Sequence, residues 1–215
     1  MKKRVLIAED HPIIITGLKQ MIKNCNRDCE IEETDSCEGL MKIVHKIKPQ
    51  YCLVDLHLTD GIATECIENI LASYPEINVM IYTVFPGSLY AKKLFQLGIH
   101  GFLNKKAPES ELQVALCKFL EGEFYISADF LPLIFTLNKS YDATKINPFD
   151  FLSLKEITLI EYLREGISVK EISDKMAIMP NTAATYKKRA FGKLKIDNIV
   201  QLTQLYQQFG GQSHV

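Results

Sequence analysis

The sequence predicts an α/β fold class: a five-stranded doubly wound parallel sheet followed by a small all-α helix-turn-helix domain. Three observations predict it. Up to about residue 120, short continuous apolar runs alternate with segments of helical apolar spacing, as in a sheet covered on both faces. After residue 150 the apolar spacing is helical throughout, and two Ser-x-x-Glu signals mark helix starts. Charge divides along the same line: residues 1–124 hold 14 Lys/Arg against 17 Asp/Glu, whereas residues 151–215 hold 9 against 6. An acidic front and a basic back indicate two domains with different partners, at 1–123 and 150–215, with a linker at 124–149.

Val5-Leu6-Ile7-Ala8 is the first strand, and Pro12 opens a helix in which Ile13, Ile14, Leu18, Met21 and Ile22 recur at helical spacing. Glu30–Thr34 is a charged strand suited to a sheet edge. Leu40, Ile43, Val44 and Ile47 form the next helical stripe, which ends before Pro49. Tyr51-Cys52-Leu53-Val54 then runs into Asp55, followed by a polar, glycine-containing loop through Gly61. A helix over Thr64–Ser73, a strand over Ile77–Tyr82, a helix over Leu89–Leu97, a strand over Gly101–Asn104 and a helix over Glu109–Leu120 complete the alternation.

In a doubly wound sheet, ligands sit beyond the carboxyl ends of the strands, where strand order reverses. Those ends carry Glu9-Asp10, Asp55, Thr83 and Lys105. Each alone has an ordinary explanation: Glu9-Asp10 could cap the next helix, and Lys105 could be a solvated charge beside Lys106. Together they demand more. A buried carboxylate is costly without a partner, and three clustered carboxylates repel one another, so they want a hard divalent cation with oxygen ligands, Mg²⁺. An aspartate beside such a metal, a hydroxyl and an ammonium forms a phosphoryl-transfer site. Asp55 attacks phosphorus, while metal, Lys105 and Thr83 neutralise the equatorial oxygens.

In the connector, Ala128–Leu137 has room for a helical turn or two, and Lys139–Asn147 reads as a polar linker. Ser153-Leu154-Lys155-Glu156 and Ser168-Val169-Lys170-Glu171 are capping-box signatures. A third helix starts near Pro180 and runs to Leu194, and a fourth spans about 198–209 before Gly210-Gly211. The second and third of these helices make a helix-turn-helix candidate. From Pro180 to Lys195 there are five basic residues and no acidic one. The plain explanation is a solvated face of a small bundle. Thr185 and Lys188, however, share a face with Lys187 and Arg189 flanking them, as on a helix that enters a nucleic-acid groove.

Hydrophobic content of 47% with 24% charge indicates a folded globular chain rather than a disordered one. Met1–Ala8 begins like a secretory leader, but Glu9-Asp10 ends the apolar run too early, and no segment approaches the length of a membrane span. A cytoplasmic protein is expected. Cys25, Cys29, Cys37, Cys52, Cys66 and Cys117 contain no C-x-x-C pair and are expected to be free, mostly buried thiols.

On Glu9-Asp10, Asp55, Thr83, Gly101-Phe102-Leu103-Asn104-Lys105 and their spacing, residues 3–121 resemble the flavodoxin-like receiver domains of bacterial two-component response regulators. Residues 150–209 resemble the LuxR-type DNA-binding domain of the NarL/FixJ subfamily. That match rests on Leu152-x-x-x-Glu156, Gly166-x-Ser168-x-Lys170-Glu171-Ile172, Thr182-x-x-x-Tyr186 and Lys193-Leu194. The first resemblance implies that Asp55 accepts a phosphoryl group from a partner histidine kinase. It implies that Glu9, Asp10, Asp55 and the His57 backbone carbonyl hold Mg²⁺, that Thr83 and Lys105 contact the phosphoryl group, and that Phe102 is an aromatic switch residue. The second implies that Ala184, Thr185 and Lys188 face base edges, with Thr182 on the same surface, while Lys187, Arg189 and Lys193 meet phosphates. A phosphorylated homodimer on promoter DNA is the expected active form. Its only chemistry would be self-phosphorylation from a donor and self-dephosphorylation, so it is not expected to be an enzyme in the usual sense.

Some positions depart from these patterns. Thr59 stands where a proline is usual, and His57 and Phe85 flank the pocket. Met179 replaces a serine cap, Ala183 a larger apolar residue and Ala184 a common lysine. Two other functions compete. Asp55-Leu56-His57-Leu58-Thr59 resembles the D-x-D-x-T motif of haloacid-dehalogenase phosphatases, except that His57 stands where the motif supplies its acid. Alternatively, the chain is a constitutive DNA-binding regulator with a silent receiver.

Overall fold

The computed structural model describes residues 2–127 and 147–209. The helical turns expected at Ala128–Leu137, nearly all of the polar linker and the Gly210-Gly211 stop lie outside the described residues.

The main sheet is built from β1 (Arg4–Ala8), β2 (Glu30–Thr34), β3 (Tyr51–Val54), β6 (Asn78–Thr83), β7 (Gly101–Asn104) and β8 (Tyr125–Ile126). All neighbours are parallel, in the order β2-β1-β3-β6-β7-β8. The expected five strands are therefore six. β8 pairs Tyr125 with Gly101 and Ile126 with Phe102, so the sheet continues past residue 123. Two residues are too few to show a strand period, which is why the sequence pattern passed over them. Between β3 and the next helix, β4 (His57–Leu58) and β5 (Gly61–Ile62) form a small antiparallel hairpin.

The helices are α1 (Pro12–Cys25), α2 (Cys37–Ile47), α3 (Thr64–Ser73), α4 (Gly87–Leu97) and α5 (Glu109–Leu120). Alternate strand residues point to opposite faces, and the burial follows that alternation. Val5, Ile7, Leu53, Met80 and Leu103 pack with Leu18 and Ile22 of α1 and Leu116 and Phe119 of α5. Leu6, Ala8, Cys52, Val54, Val79, Ile81 and Phe102 pack with α2, α3 and α4 on the other face. β2, with Glu30, Glu32 and Glu33 at the edge, stays largely exposed and keeps that edge charged.

After a 3₁₀ turn at Pro148–Phe151, the second domain consists of α6 (Leu154–Arg164), α7 (Val169–Lys175), α8 (Pro180–Leu194) and α9 (Ile199–Phe209). Both expected capping boxes form. The Ser153 and Ser168 hydroxyls accept the Glu156 and Glu171 N–H groups, and those glutamates accept the two serine N–H groups in return. Each cap is worth about 1 kcal/mol to its helix.

The two domains share one hydrophobic cluster, which runs from the α2–α4 face through Phe149, Leu152, Ile157 and Ile160 to Leu194 and Leu202. Polar contacts fix the docking. The Ile62 N–H donates to Tyr162 Oη at 2.9 Å, and the Thr64 and Thr158 hydroxyls meet at 3.0 Å. Lys93 Nζ donates to the Asp150 carbonyl at 2.9 Å, and Lys92 pairs with its carboxylate at 3.3 Å. Gly61 is required here: its φ of +152° disfavours a side chain, and a Cβ would lie 3.1 Å from Tyr162 Oη.

The expectation of six free thiols holds for four cysteines and fails for two. Cys25 and Cys117 are disulfide-bonded, joining the last residue of α1 to α5; Cys29, Cys37, Cys52 and Cys66 are free. The pair is 92 residues apart, and only the sheet topology that lays α1 beside α5 brings it together.

Candidate functional site

The carboxyl ends of β1, β3, β6 and β7 converge as the strand order requires, because the order reverses between β1 and β3. Glu9, Asp55 and Thr83 are buried there. Lys105 Nζ lies 2.6 Å from Asp55 Oδ2 and 2.6 Å from Glu9 Oε2, bridging two carboxylates delivered by different strands. Burial alone would depress the Lys105 ammonium. Its hydrogen bonds to Asp55 and Glu9 outweigh that and hold it above its ordinary value.

The backbone places these groups firmly. The Asp55 N–H donates to Ala8 O at 2.8 Å, and the Lys105 N–H donates to Thr83 O at 2.8 Å. Asp55 Oδ1 accepts the His57 N–H at 3.3 Å, while Thr83 Oγ1 accepts the Phe85 N–H at 3.3 Å. Asn104 Nδ2 donates to Phe85 O at 3.2 Å, so the ends of β6 and β7 are tied.

Glu9, Asp10 and His11 form the one group of potential metal ligands among the described residues. His11 went unnoticed in the sequence. Its Nδ1 sits 2.9 Å from Glu9 Oε1 and 2.6 Å from Asp10 Oδ1. The hydrogen bond to Glu9 and the charge of Asp10 raise its pKa. Asp10 Oδ1 is buried and makes no aligned hydrogen bond with the described residues despite the nearby imidazole. A buried carboxylate oxygen left in that state beside Glu9 fits a hard cation, whereas Asp55 lies outside this group and is held by Lys105.

Phe102 is fully buried in β7 in register with Ile81, within the core that faces α4. Phe85 stacks on Tyr90 at 5.4 Å and meets His57 edge-on at 6.3 Å. Tyr90 belongs to α4 and is buried against the second domain. There its Oη and Glu161 Oε1 of α6 are both buried without a hydrogen-bond partner among the described residues. Burial pushes the Glu161 carboxyl up to about 7, against Arg164, whose Nη1 lies 2.6 Å from Oε2. Tyr162, Tyr90 and Glu161 went unmarked in the sequence, because what matters about them is the neighbour from the other domain.

On α8, Ala183, Ala190, Phe191 and Leu194 are buried, and Ala184, Thr185, Lys188 and Arg189 are exposed together. Thr182 is half-buried beside them. Lys187 lies over the Phe191 ring at 5.5 Å, and Lys193 pairs with Glu156 at 2.6 Å. The two lysines expected at phosphates are thus already engaged within the domain. The exposed basic edge is Lys188 with Arg189.

A family model described as response regulator receiver domain matches residues 5–117, and one described as bacterial regulatory proteins, luxR family, matches residues 150–206. The chain is 31% identical over 208 residues to the response regulator GacA of Pseudomonas protegens, covering 96% of both chains. It is 29% identical to the oxygen regulatory protein NreC of Staphylococcus aureus, covering 94% of this chain and 95% of that one. Among solved structures, RcsB of Salmonella enterica serovar Typhimurium, bound to promoter P1flhDC in the presence of the phosphomimetic BeF3-, superposes with a TM-score of 0.75. That match covers 97% of this chain and 100% of RcsB; at 22% identity it speaks for the fold.

Proposed function

The chain belongs to the response regulators of the NarL/FixJ type, a receiver joined to a luxR-family helix-turn-helix, and from that premise we propose that phosphorylation of Asp55 controls promoter binding by α8. The observation that carries the proposal is the Lys105 ammonium held 2.6 Å from Asp55 at the strand-end pocket. A partner histidine kinase supplies the phosphoryl group. Asp55 Oδ attacks phosphorus as the bond from phosphorus to the kinase's histidine nitrogen breaks and the imidazole leaves, and Lys105 and the Thr83 hydroxyl take up charge on the transferred oxygens. Mg²⁺, held by Glu9, Asp10, Asp55 and the His57 carbonyl, would add a divalent charge at the same oxygens.

The route outward runs through this chain's own contacts. A phosphoryl group brings about two negative charges. Drawing the Thr83 hydroxyl toward them pulls on the Phe85 N–H it accepts, and Phe85 is stacked on Tyr90 at the face of α6. Phe102, packed beneath α4, turns with that face. The docked second domain responds, and Thr182, Ala184, Thr185, Lys188 and Arg189 meet DNA, with Lys187 and Lys193 at the margin. RcsB was solved on promoter DNA with a phosphomimetic and, in another structure, as two dimers on two DNAs, and by that likeness this chain binds promoter DNA as a homodimer. Its chemistry is limited to accepting and losing the phosphoryl group. The receiver match over residues 5–117 favours this switch over the phosphatase, and the intact Asp55–Lys105–Thr83 set favours it over a silent receiver.

Incubation with acetyl phosphate and Mg²⁺ tests the first step. One acid-stable, base-labile phosphoryl group per chain is expected, absent in Asp55→Asn. Equal labelling of Asp55→Asn would overturn the assignment.

A further inference from the structure

Cys37 and Cys66 take no part in the phosphoryl site, yet the fold sets them together where α2 and α3 begin. The Cys66 thiol donates to the Cys37 carbonyl, Sγ to O 3.8 Å. Both residues are half-buried, and both line a cavity of about 300 Å³ between the two domains. Gly61, Ile62 and Thr64 wall it on the receiver side, and Thr158, Tyr162 and Met176 on the other. A space of this size admits several waters, and so a small polar oxidant.

The two thiols are unlike. A hydrogen bond from Cys37 brings the Cys66 thiol below its ordinary value, against the effect of burial. The same bond, and then burial, pushes the Cys37 thiol up. Cys29 and Cys52 lie in the core, where burial raises both, Cys52 to about 12. Two half-buried thiols side by side on the wall of a cavity are the arrangement of an attacking and a resolving cysteine.

We propose that Cys66 and Cys37 form a peroxide-modified site, in which Cys66 is oxidised by hydrogen peroxide and Cys37 resolves it to a disulfide joining α3 to α2. The Cys66 thiolate attacks one peroxide oxygen; the S–O bond forms, the O–O bond breaks, and the departing hydroxide takes up a proton as water. The Cys37 sulfur then attacks the Cys66 sulfenic acid; the S–S bond forms, the S–O bond breaks, and the thiol proton leaves in a second water. Two thiols lose two electrons and two protons, and the peroxide is reduced to water. The new bond fastens α2 to α3 on the cavity wall that carries the Ile62–Tyr162 contact.

The test uses the full chain treated with hydrogen peroxide, alkylated and mapped without reduction. A linked Cys37–Cys66 peptide pair is expected in the wild type. In Cys37→Ser, Cys66 should stop at the sulfenic acid and give at least about tenfold more dimedone adduct than Cys29 or Cys52. In Cys66→Ser, Cys37 should remain alkylatable after peroxide. The proposal is overturned if the wild type yields no linked pair while both cysteines stay alkylatable. Equal dimedone labelling of Cys66 and Cys52 in Cys37→Ser would overturn it too, and the wild-type map decides the matter even if a variant fails to fold.

Discussion

Lys105 Nζ lies 2.6 Å from Asp55 Oδ2 while making an equal contact with Glu9, so one buried ammonium compensates two buried carboxylates. Removing it exposes their mutual repulsion. Lys105→Met should lower unfolding free energy by about 3–5 kcal/mol, the usual cost of breaking a buried ion pair from one side. Millimolar Mg²⁺ should restore part of the loss, since a cation can take the vacated role. Urea titrations with and without Mg²⁺ measure both; an unchanged midpoint would refute the bridging role.

Glu161 gives the folded chain a pH dependence of definite sign. Its folded pKa, about 7, lies above the ordinary 4.5, so the folded state holds a proton that the unfolded chain has released. Stability from this group is therefore full below about pH 4.5, is lost as pH rises toward 7, and stays lost above it. The total is on the order of 3 kcal/mol. Glu161→Gln keeps an acceptor for Arg164 and removes the titration. The difference in melting temperature between wild type and variant should shift in favour of the variant from pH 5 to pH 8. A constant difference would contradict the account.

The domains dock through a shared apolar cluster with few polar contacts, so the loss of one of those contacts should loosen the docking measurably. Tyr162→Phe leaves the Ile62 N–H buried without its acceptor, a cost of about 1–3 kcal/mol. Faster hydrogen exchange at the Ile62 amide is expected, with little change in the receiver's own exchange-protected core.

On α8 the exposed and the engaged lysines should behave differently. Lys188→Ala should weaken DNA binding and reduce the slope of log affinity against log salt by about one. Lys193 is committed to Glu156 at 2.6 Å, so Lys193→Ala should lower thermal stability more than DNA affinity. Salt-dependent binding isotherms together with melting curves separate the two.

What the sequence disclosed follows from how local each signal is. The strand ends were legible because an apolar run stopping at Asp55 or Lys105 marks both a strand and its rim within a few residues. Ser153 and Ser168 were legible because a capping box is complete within four positions. β8 escaped because Tyr125–Ile126 is too short to show a period. The Cys25–Cys117 bond, the Tyr90–Glu161 juxtaposition and the Ile62–Tyr162 clasp escaped because each joins residues far apart in sequence. His11 carries no sequence pattern of its own beside Glu9 and Asp10, and the Lys193–Glu156 pair joins residues on two different helices.

The central claim is that chemistry at Asp55 reaches α8, and one measurement addresses it most directly. Promoter-DNA affinity is compared with and without Mg²⁺ and beryllofluoride, in the wild type and in Asp55→Asn. A coupling in the usual allosteric range predicts at least about fivefold tighter binding by the beryllofluoride-treated wild type and no gain in Asp55→Asn. Equal affinities in all four conditions would contradict it.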